Sequence, residues 1–156
     1  MNLKILIFAT LILLIDQVTK VIVSSLIVLN TSVKVISNFF YLTYHHNYGA
    51  AWGILSKMNW LLIVASLIGI IVVYRYIRTF KENTRNSIAF GLLFGGISGN
   101  MIDRVFIGYV RDFLDFRIIN NFPVFNVADM AIVIGVLLLI VAILKGEDNR
   151  EINRTK

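Results

Sequence analysis

Three aspartates of this chain, Asp16, Asp103 and Asp129, stand inside or at the edge of long apolar runs. Ionisable groups in such surroundings are costly and usually functional. Asp16 and Lys20 lie four apart and so share one helix face, with Gln17 beside them. Two chemistries fit that spacing. The two charges can neutralise each other as a buried ion pair, or Lys20 can activate Ser24 one turn on, as in a Ser–Lys dyad. The ion pair is at least as good an account, because a Lys and a Ser on one helix often coincide by chance. Further on, Gly91, Gly95 and Gly99 recur every fourth residue and Asp103 continues their stripe. Small residues at that spacing let helix backbones approach closely. Gly96, Asn100 and Arg104 form the next stripe. Close packing and a snorkelling Arg104 explain the glycines but leave Asn100 and Asp103 unexplained. Asn126 and Asp129, three apart, suit the start of a helix: Asn126 as N-cap and Asp129 in the first turn, where the helix dipole favours an anion. A second carboxylate nearby would make the pair share a proton. Asp112, next to Phe113, is a candidate partner and Asp115 the competing one; spacing alone does not choose.

Other chemistries are excluded. With no cysteine, there is no thiolate nucleophile, disulfide framework or cysteine metal site. The only histidines are the adjacent His45 and His46. Adjacent side chains do not by themselves build a metal site, so no metal or other cofactor is expected, and the pair reads as polar residues at a membrane interface.

The elements that must position these groups are membrane helices. The chain has 156 residues, is 58% hydrophobic and contains a single proline; its mean hydropathy is +0.79. A soluble domain of this size needs far more polar surface. Four apolar runs, about 3–29, 60–76, 87–102 and 127–144, each approach the roughly 20 residues needed to span a bilayer as helix. They do not alternate, so an all-α membrane protein of four transmembrane helices is expected, as one domain over 1–156. Asp16 and Lys20 interrupt the first run and no small-residue cleavage site follows it, so it reads as a span rather than a leader.

Two outer segments, about 30–59 and 103–126, carry most of the unusual sequence. Alternation around Val33 and Val35, a turn at Asn38 and the aromatic, β-branched stretch from Phe39 to Tyr44 predict a small extracytoplasmic β-sheet. Tyr41, Tyr44, Tyr48, Trp52 and Trp60 suit an interfacial aromatic belt. The second segment is too apolar for a solvated loop and is expected to dip into the interface or pack over the helices. The short charged connection at 78–86 and the polar tail from Lys145, expected to be disordered, carry no chemical signal. Basic residues Lys4, Arg75, Arg78, Lys81, Arg85, Lys145, Arg150, Arg154 and Lys156 fall on one side, which places both termini in the cytoplasm. The net charge of +6 is then a topology signal, and no basic soluble face exists to bind nucleic acid.

Five blocks carry a resemblance: Asp16-Gln17-Val18-Thr19-Lys20, Asn47-Tyr48-Gly49-Ala50-Ala51-Trp52-Gly53, Gly99-Asn100-Met101-Ile102-Asp103-Arg104, Val110-Arg111-Asp112-Phe113 and Phe125-Asn126-Val127-Ala128-Asp129. In that order, on a four-span chain, they resemble the lipoprotein signal peptidases, the type II signal peptidases of bacteria. Each block alone is weak; five in order cover nearly the whole chain. The resemblance implies an aspartic endopeptidase of the bacterial cytoplasmic membrane, working at its outer face. It implies catalysis by Asp112 and Asp129, and Asp115 matches no family position. The implied substrate is a prolipoprotein cut just before a cysteine bearing a diacylglyceryl group, and the implied inhibitor is the cyclic peptide globomycin. Trp52 stands where many relatives have Phe, and the His45-His46 pair stands where Arg is common.

The remaining roles follow from the clusters. Asn100 and Asn126 orient the aspartates or bind substrate backbone, and Arg104 holds a carbonyl or a lipid oxygen. Asn47, Gly49 and Gly53 form the outer wall of the cleft. Asp103 supports the site, and Asp16 and Lys20 organise the first helix against it. Membrane lipid is the expected surrounding partner and a monomer the expected state. Two other classes compete: a proton-coupled transporter, for which the chain is short and lacks a repeated half, and a non-catalytic membrane scaffold glued by its glycines.

Overall fold

The computed structural model describes residues 2–49, 58–118 and 122–148. Ala50, Ala51, Trp52, Gly53 and the far tail lie outside the described residues, and so do the expectations placed on them.

Asn2 caps the first helix, its side chain accepting from the Lys4 amide at 3.0 Å. Helix α1 spans Leu3–Leu26 and stops short of the expected 29. Thr31 and Asn30 then lead into β1, Ser32–Ile36, which pairs antiparallel with β2, Phe40–Asn47. Asn30 and Asn38 both adopt positive φ, 59° and 58°, a conformation Asn tolerates because its short side chain bonds locally. The turn expected at Asn38 is therefore present. Helix α2 spans Asn59–Tyr76 and runs into a 3-10 turn, Ile77–Thr79. Helix α3 spans Thr84–Phe106, β3 Val110–Phe116 and α4 Val127–Leu144.

Strand β3 corrects the expectation for the second outer segment. The segment packs over the helices, as one of the two alternatives has it, but as a strand rather than a loop: it pairs antiparallel with β2, completing a sheet of order β1-β2-β3. Gly108, at φ 83°, supplies the turn between α3 and β3. Phe125, beyond the strand, is held by the sheet too, since the Phe113 and Leu114 amides donate to its carbonyl at 2.9 and 2.7 Å.

Among the described residues, α1, α2 with its 3-10 turn, and α4 are long and apolar enough to cross a membrane. Helix α3, expected to be the fourth span, is long enough at 23 residues but less apolar than these three. Its sequence is given over to glycine and polar side chains because it lies at the centre. Gly91 and Gly95 face α1, where an added Cβ on Gly91 would collide with Phe8 Cβ and one on Gly95 would meet the Ala9 carbonyl at 2.7 Å. Gly96 faces α4, with the Ala128 carbonyl at 2.6 Å and Ile132 Cγ1 at 2.8 Å from such a Cβ. The two stripes read from the sequence thus seat two different helices. Replacing Gly96 with Val forces α4 off α3. The expected loss is at the upper end of the roughly 1–3 kcal/mol typical of overpacking, seen as a lower thermal midpoint of the purified protein. An unchanged midpoint would mean that this contact does not hold the bundle.

Two apolar clusters close the ends. Ile5, Phe80, Phe90 and Ala142 pack near the chain termini. At the opposite end Val23, Tyr44 and Phe113 pack with Val127, seating the sheet on α1 and α4. Tyr44 is therefore a core residue, not part of an aromatic belt, whereas Tyr48 and Trp60 are exposed at 52% and 62%. The tail also begins in order rather than disorder. The Lys81 amide donates to the Glu147 carbonyl at 2.9 Å, Asn83 Nδ2 donates to Glu147 Oε2 at 2.7 Å, and Arg85 pairs with the same carboxylate.

Candidate active site

The site forms where the sheet meets the ends of α1 and α3 and the start of α4. Asn126 opens α4 with a reciprocal cap. Its Oδ1 accepts from the Asp129 amide at 3.0 Å, and Asp129 Oδ2 accepts from the Asn126 amide at 3.2 Å. The cap fixes the Asp129 carboxylate at the positive end of the helix dipole. Asn126 also reaches β3: its Nδ2 donates to Asp112 Oδ1 at 2.6 Å and to Asn100 Oδ1 at 3.2 Å. Asn100 Nδ2, from α3, donates to Asp129 Oδ1 at 2.7 Å. Asn47, at the end of β2, donates to Asp112 Oδ2 at 2.8 Å. Three asparagines from three elements therefore hold Asp112 and Asp129, and Asn126 and Asn100 link one to the other.

Strand geometry separates Asp112 from Asp115. Residues three apart on a strand point to opposite faces. Asp112 is 1% exposed and turns toward α4. Asp115 accepts from Thr43 Oγ1 at 2.6 Å and pairs with Arg117 at 2.7 Å. Asp115, the competing candidate, is buried and paired with these groups and is not part of the Asp112–Asp129 group.

Asp112 and Asp129 open onto a cavity of about 610 Å³. Asn47 and Arg104 complete its polar wall; Phe122, Pro123, Val124, Phe125, Met130, Val133 and Ile134 form an apolar one. The guanidinium of Arg104 donates to the Gly49 carbonyl at 3.1 Å, and its Nε, buried, has no partner among the described residues. The Asn47 side-chain oxygen Oδ1 accepts from the Gly49 amide at 3.0 Å, shaping this wall. Burial, and next the negative charge of Asp129, push the Asp112 carboxyl up to about 7, against the hydrogen bonds from Asn47 and Asn126.

A second tier of charge lies behind the pair. Lys20 and Asp16, both fully buried, pair at 2.8 Å. Asp16 Oδ1 accepts from the Ala128 amide at 2.9 Å, binding α1 to the first turn of α4. Lys20 Nζ donates to Asn100 Oδ1 at 3.0 Å and stands 3.5 Å from Asp103. Ser24 Oγ instead donates to the Val21 carbonyl at 3.1 Å, so the ammonium is engaged elsewhere and the Ser–Lys dyad is not formed. Asp103 lies apart from Asp112 and Asp129. It takes a forked pair of bonds from Arg111, at 2.7 and 3.2 Å, and one from the Arg111 amide at 3.0 Å, tying α3 to β3. The sequence reading missed this partner. Arg111 sits within one of the quoted blocks, but only the unforeseen strand brings it back over α3. His46, read as a plain interfacial residue, stacks on Tyr109 at 3.7 Å and bonds the Tyr44 hydroxyl at 2.9 Å.

Fold and site together define a helical membrane protein with two carboxylates opening onto a largely apolar cleft. The family model described as Signal peptidase (SPase) II matches residues 8–145. A lipoprotein signal peptidase of Staphylococcus haemolyticus (strain JCSC1435) is 47% identical over 148 residues, 94% of either chain. One from Staphylococcus aureus (strain MRSA252) is 43% identical over 150 residues, 95% of this chain and 92% of its own. Two solved structures, each described as a bacterial membrane enzyme, superpose with TM-scores of 0.83 and 0.82 at 39% and 40% identity. They cover 94% and 90% of this chain, and 90% and 92% of their own. The chain belongs to the signal peptidase II family, and that membership implies a protease.

Proposed function

We propose that the protein is an aspartic endopeptidase of the bacterial cytoplasmic membrane that removes the signal peptide from diacylglyceryl-modified prolipoproteins, cutting just before the lipidated cysteine. The observation that carries this reading is the linkage of Asp112 and Asp129 through Asn126 and Asn100 at the mouth of an apolar cavity. Two carboxylates in one poorly solvated site share a proton. The ionised member takes a proton from water as that water attacks the scissile carbonyl. The protonated member donates to the carbonyl oxygen as the tetrahedral intermediate forms. The intermediate collapses with the peptide C–N bond breaking and a proton passing to the leaving amine. These steps need only water and the two carboxyls.

The cleft suits the substrate proposed. Met130, Val133 and Ile134 continue down α4 from Asp129, giving the lipid an apolar path away from the polar wall. Arg104, whose Nε has no partner among the described residues and whose guanidinium lines the cavity, holds a substrate carbonyl or ester oxygen in this reading. Helix α3 serves as the fourth span, shielded from lipid by its three neighbours. With basic residues gathered at the terminal end, both termini are cytoplasmic and the sheet and site face outward. Globomycin, the inhibitor implied by the family resemblance, is expected to occupy the same cleft.

Incubating the purified protein with a diacylglyceryl-modified precursor peptide and weighing the products tests this. The expected result is one cut before the lipidated cysteine, and little cutting of the unlipidated peptide. An intact peptide, or proton-driven uptake by reconstituted vesicles without cleavage, would overturn it in favour of the transporter reading.

A further inference from the structure

The end of the bundle opposite the catalytic cleft carries a second cavity, of about 410 Å³, lined by Asn2, Tyr74, Arg78, Phe80, Lys81 and Glu82 among others. Arg78 and Lys81 are exposed and form no ion pair among the described residues. Glu82 is the one acidic side chain among the described residues of the lining. Of the neighbouring charges, Arg85 pairs with Glu147, and Lys4 donates to the Thr84 hydroxyl at 3.2 Å. Among the described residues that line it, two cations thus flank a concave space with one carboxylate, and Asp148 lies across an isolated bridge from Phe80.

The approach to this cavity is lipid-facing. Leu67, Ile71 and Tyr74 repeat at helical spacing along α2, exposed at 47%, 61% and 50%, and Arg78 continues their stripe to the cavity. An acyl chain lying on that stripe would deliver its headgroup to Arg78. Beneath the main cavity, a small pocket of about 20 Å³ shares Asn2, Phe80 and Lys81 with it and also reaches Asn86. Asn86 Oδ1 is buried and has no hydrogen-bond partner among the described residues, so this pocket offers an acceptor to a headgroup hydroxyl.

We propose that this cavity binds the phosphodiester headgroup of an anionic phospholipid from the leaflet on the side of the chain termini. Arg78 and Lys81 hold the phosphate and the α2 stripe carries one acyl chain. Basic pockets at this level of a membrane helix bundle suit anionic headgroups, each cation contributing substantially near the surface. A free phosphate would satisfy the cations but leave the stripe unused. The site does not depend on the protease reading, and its test reads binding without cleavage.

The test measures phosphatidylglycerol binding to the full chain in detergent by native mass spectrometry, with phosphatidylcholine as comparison. The expected result is one tightly held phosphatidylglycerol and no equivalent phosphatidylcholine. Arg78→Gln with Lys81→Gln should weaken binding about thirtyfold, Glu82→Gln should tighten it, and Arg75→Gln, outside the lining, should leave it unchanged. A large excess of inorganic phosphate should not displace the lipid. Equal retention of both lipids, an unaffected double variant, an equal loss in Arg75→Gln, or displacement by phosphate alone would overturn the proposal.

Discussion

Asp112→Asn and Asp129→Asn should each reduce prolipoprotein cleavage on the order of 10⁴-fold, the scale of loss when one member of a catalytic unit is removed. An amide is close in shape to a carboxylate but can neither accept a proton from water nor deliver one at neutral pH. The shape of the site survives because Asp112 and Asp129 are each held from elsewhere: Asp112 by Asn47 and Asn126, Asp129 by Asn100 and the α4 cap. Both variants should therefore insert and purify like the parent. Asp115→Asn is the informative comparison. It alters a carboxylate on the same strand, bonded to a half-exposed Arg117 on the other face, and should cost little activity. The assay is the turnover of a lipidated precursor peptide. Substantial activity in either dyad variant, or equal loss in Asp115→Asn, would sink the assignment.

The second large effect is on stability. Lys20→Met should destabilise the protein by about 3–5 kcal/mol, the usual consequence of stripping one partner from a buried ion pair. Asp16 would lose the ammonium at 2.8 Å and keep only the Gln17 amide at 3.1 Å and the Ala128 amide at 2.9 Å. Asp103 would fare better, because Arg111 still neutralises it. Adding Asp16→Asn to Lys20→Met removes the stranded charge and should restore part of the loss. Thermal unfolding of the parent, the single and the double variant decides this. A single variant as stable as the parent would show that the pair does not hold α1 against the site.

Much of this was legible in the sequence, and for physical reasons. The apolar runs located all four helices, and Asn126 three residues before Asp129 located the cap that opens α4. The glycine stripes on α3 announced close packing, and the structure assigns one stripe to α1 and the other to α4. The Asp16–Lys20 spacing announced an ion pair that is present. Strand β3 was not legible. Val110–Phe116 interleaves an arginine and two aspartates with apolar residues, and its strand character comes from pairing with β2 across more than sixty intervening residues. The Asp103–Arg111 fork and the separation of Asp112 from Asp115 both depend on that pairing. Local spacing therefore left two candidate aspartates open, and the strand's alternation parts them.

Catalysis by Asp112 and Asp129 with one proton between them has a signature in the pH dependence of kcat/KM, since that ratio reports the essential acid of the free enzyme. Burial and the nearby Asp129 charge raise the Asp112 carboxyl to about 7. Below that pH the pair retains its proton and can donate to the scissile carbonyl; above it the proton is lost. The kcat/KM for a lipidated precursor should hold through mildly acidic pH and fall about tenfold per pH unit above roughly 7. A kcat/KM that stays level from pH 6 to about 9 would contradict catalysis by a pair sharing one proton.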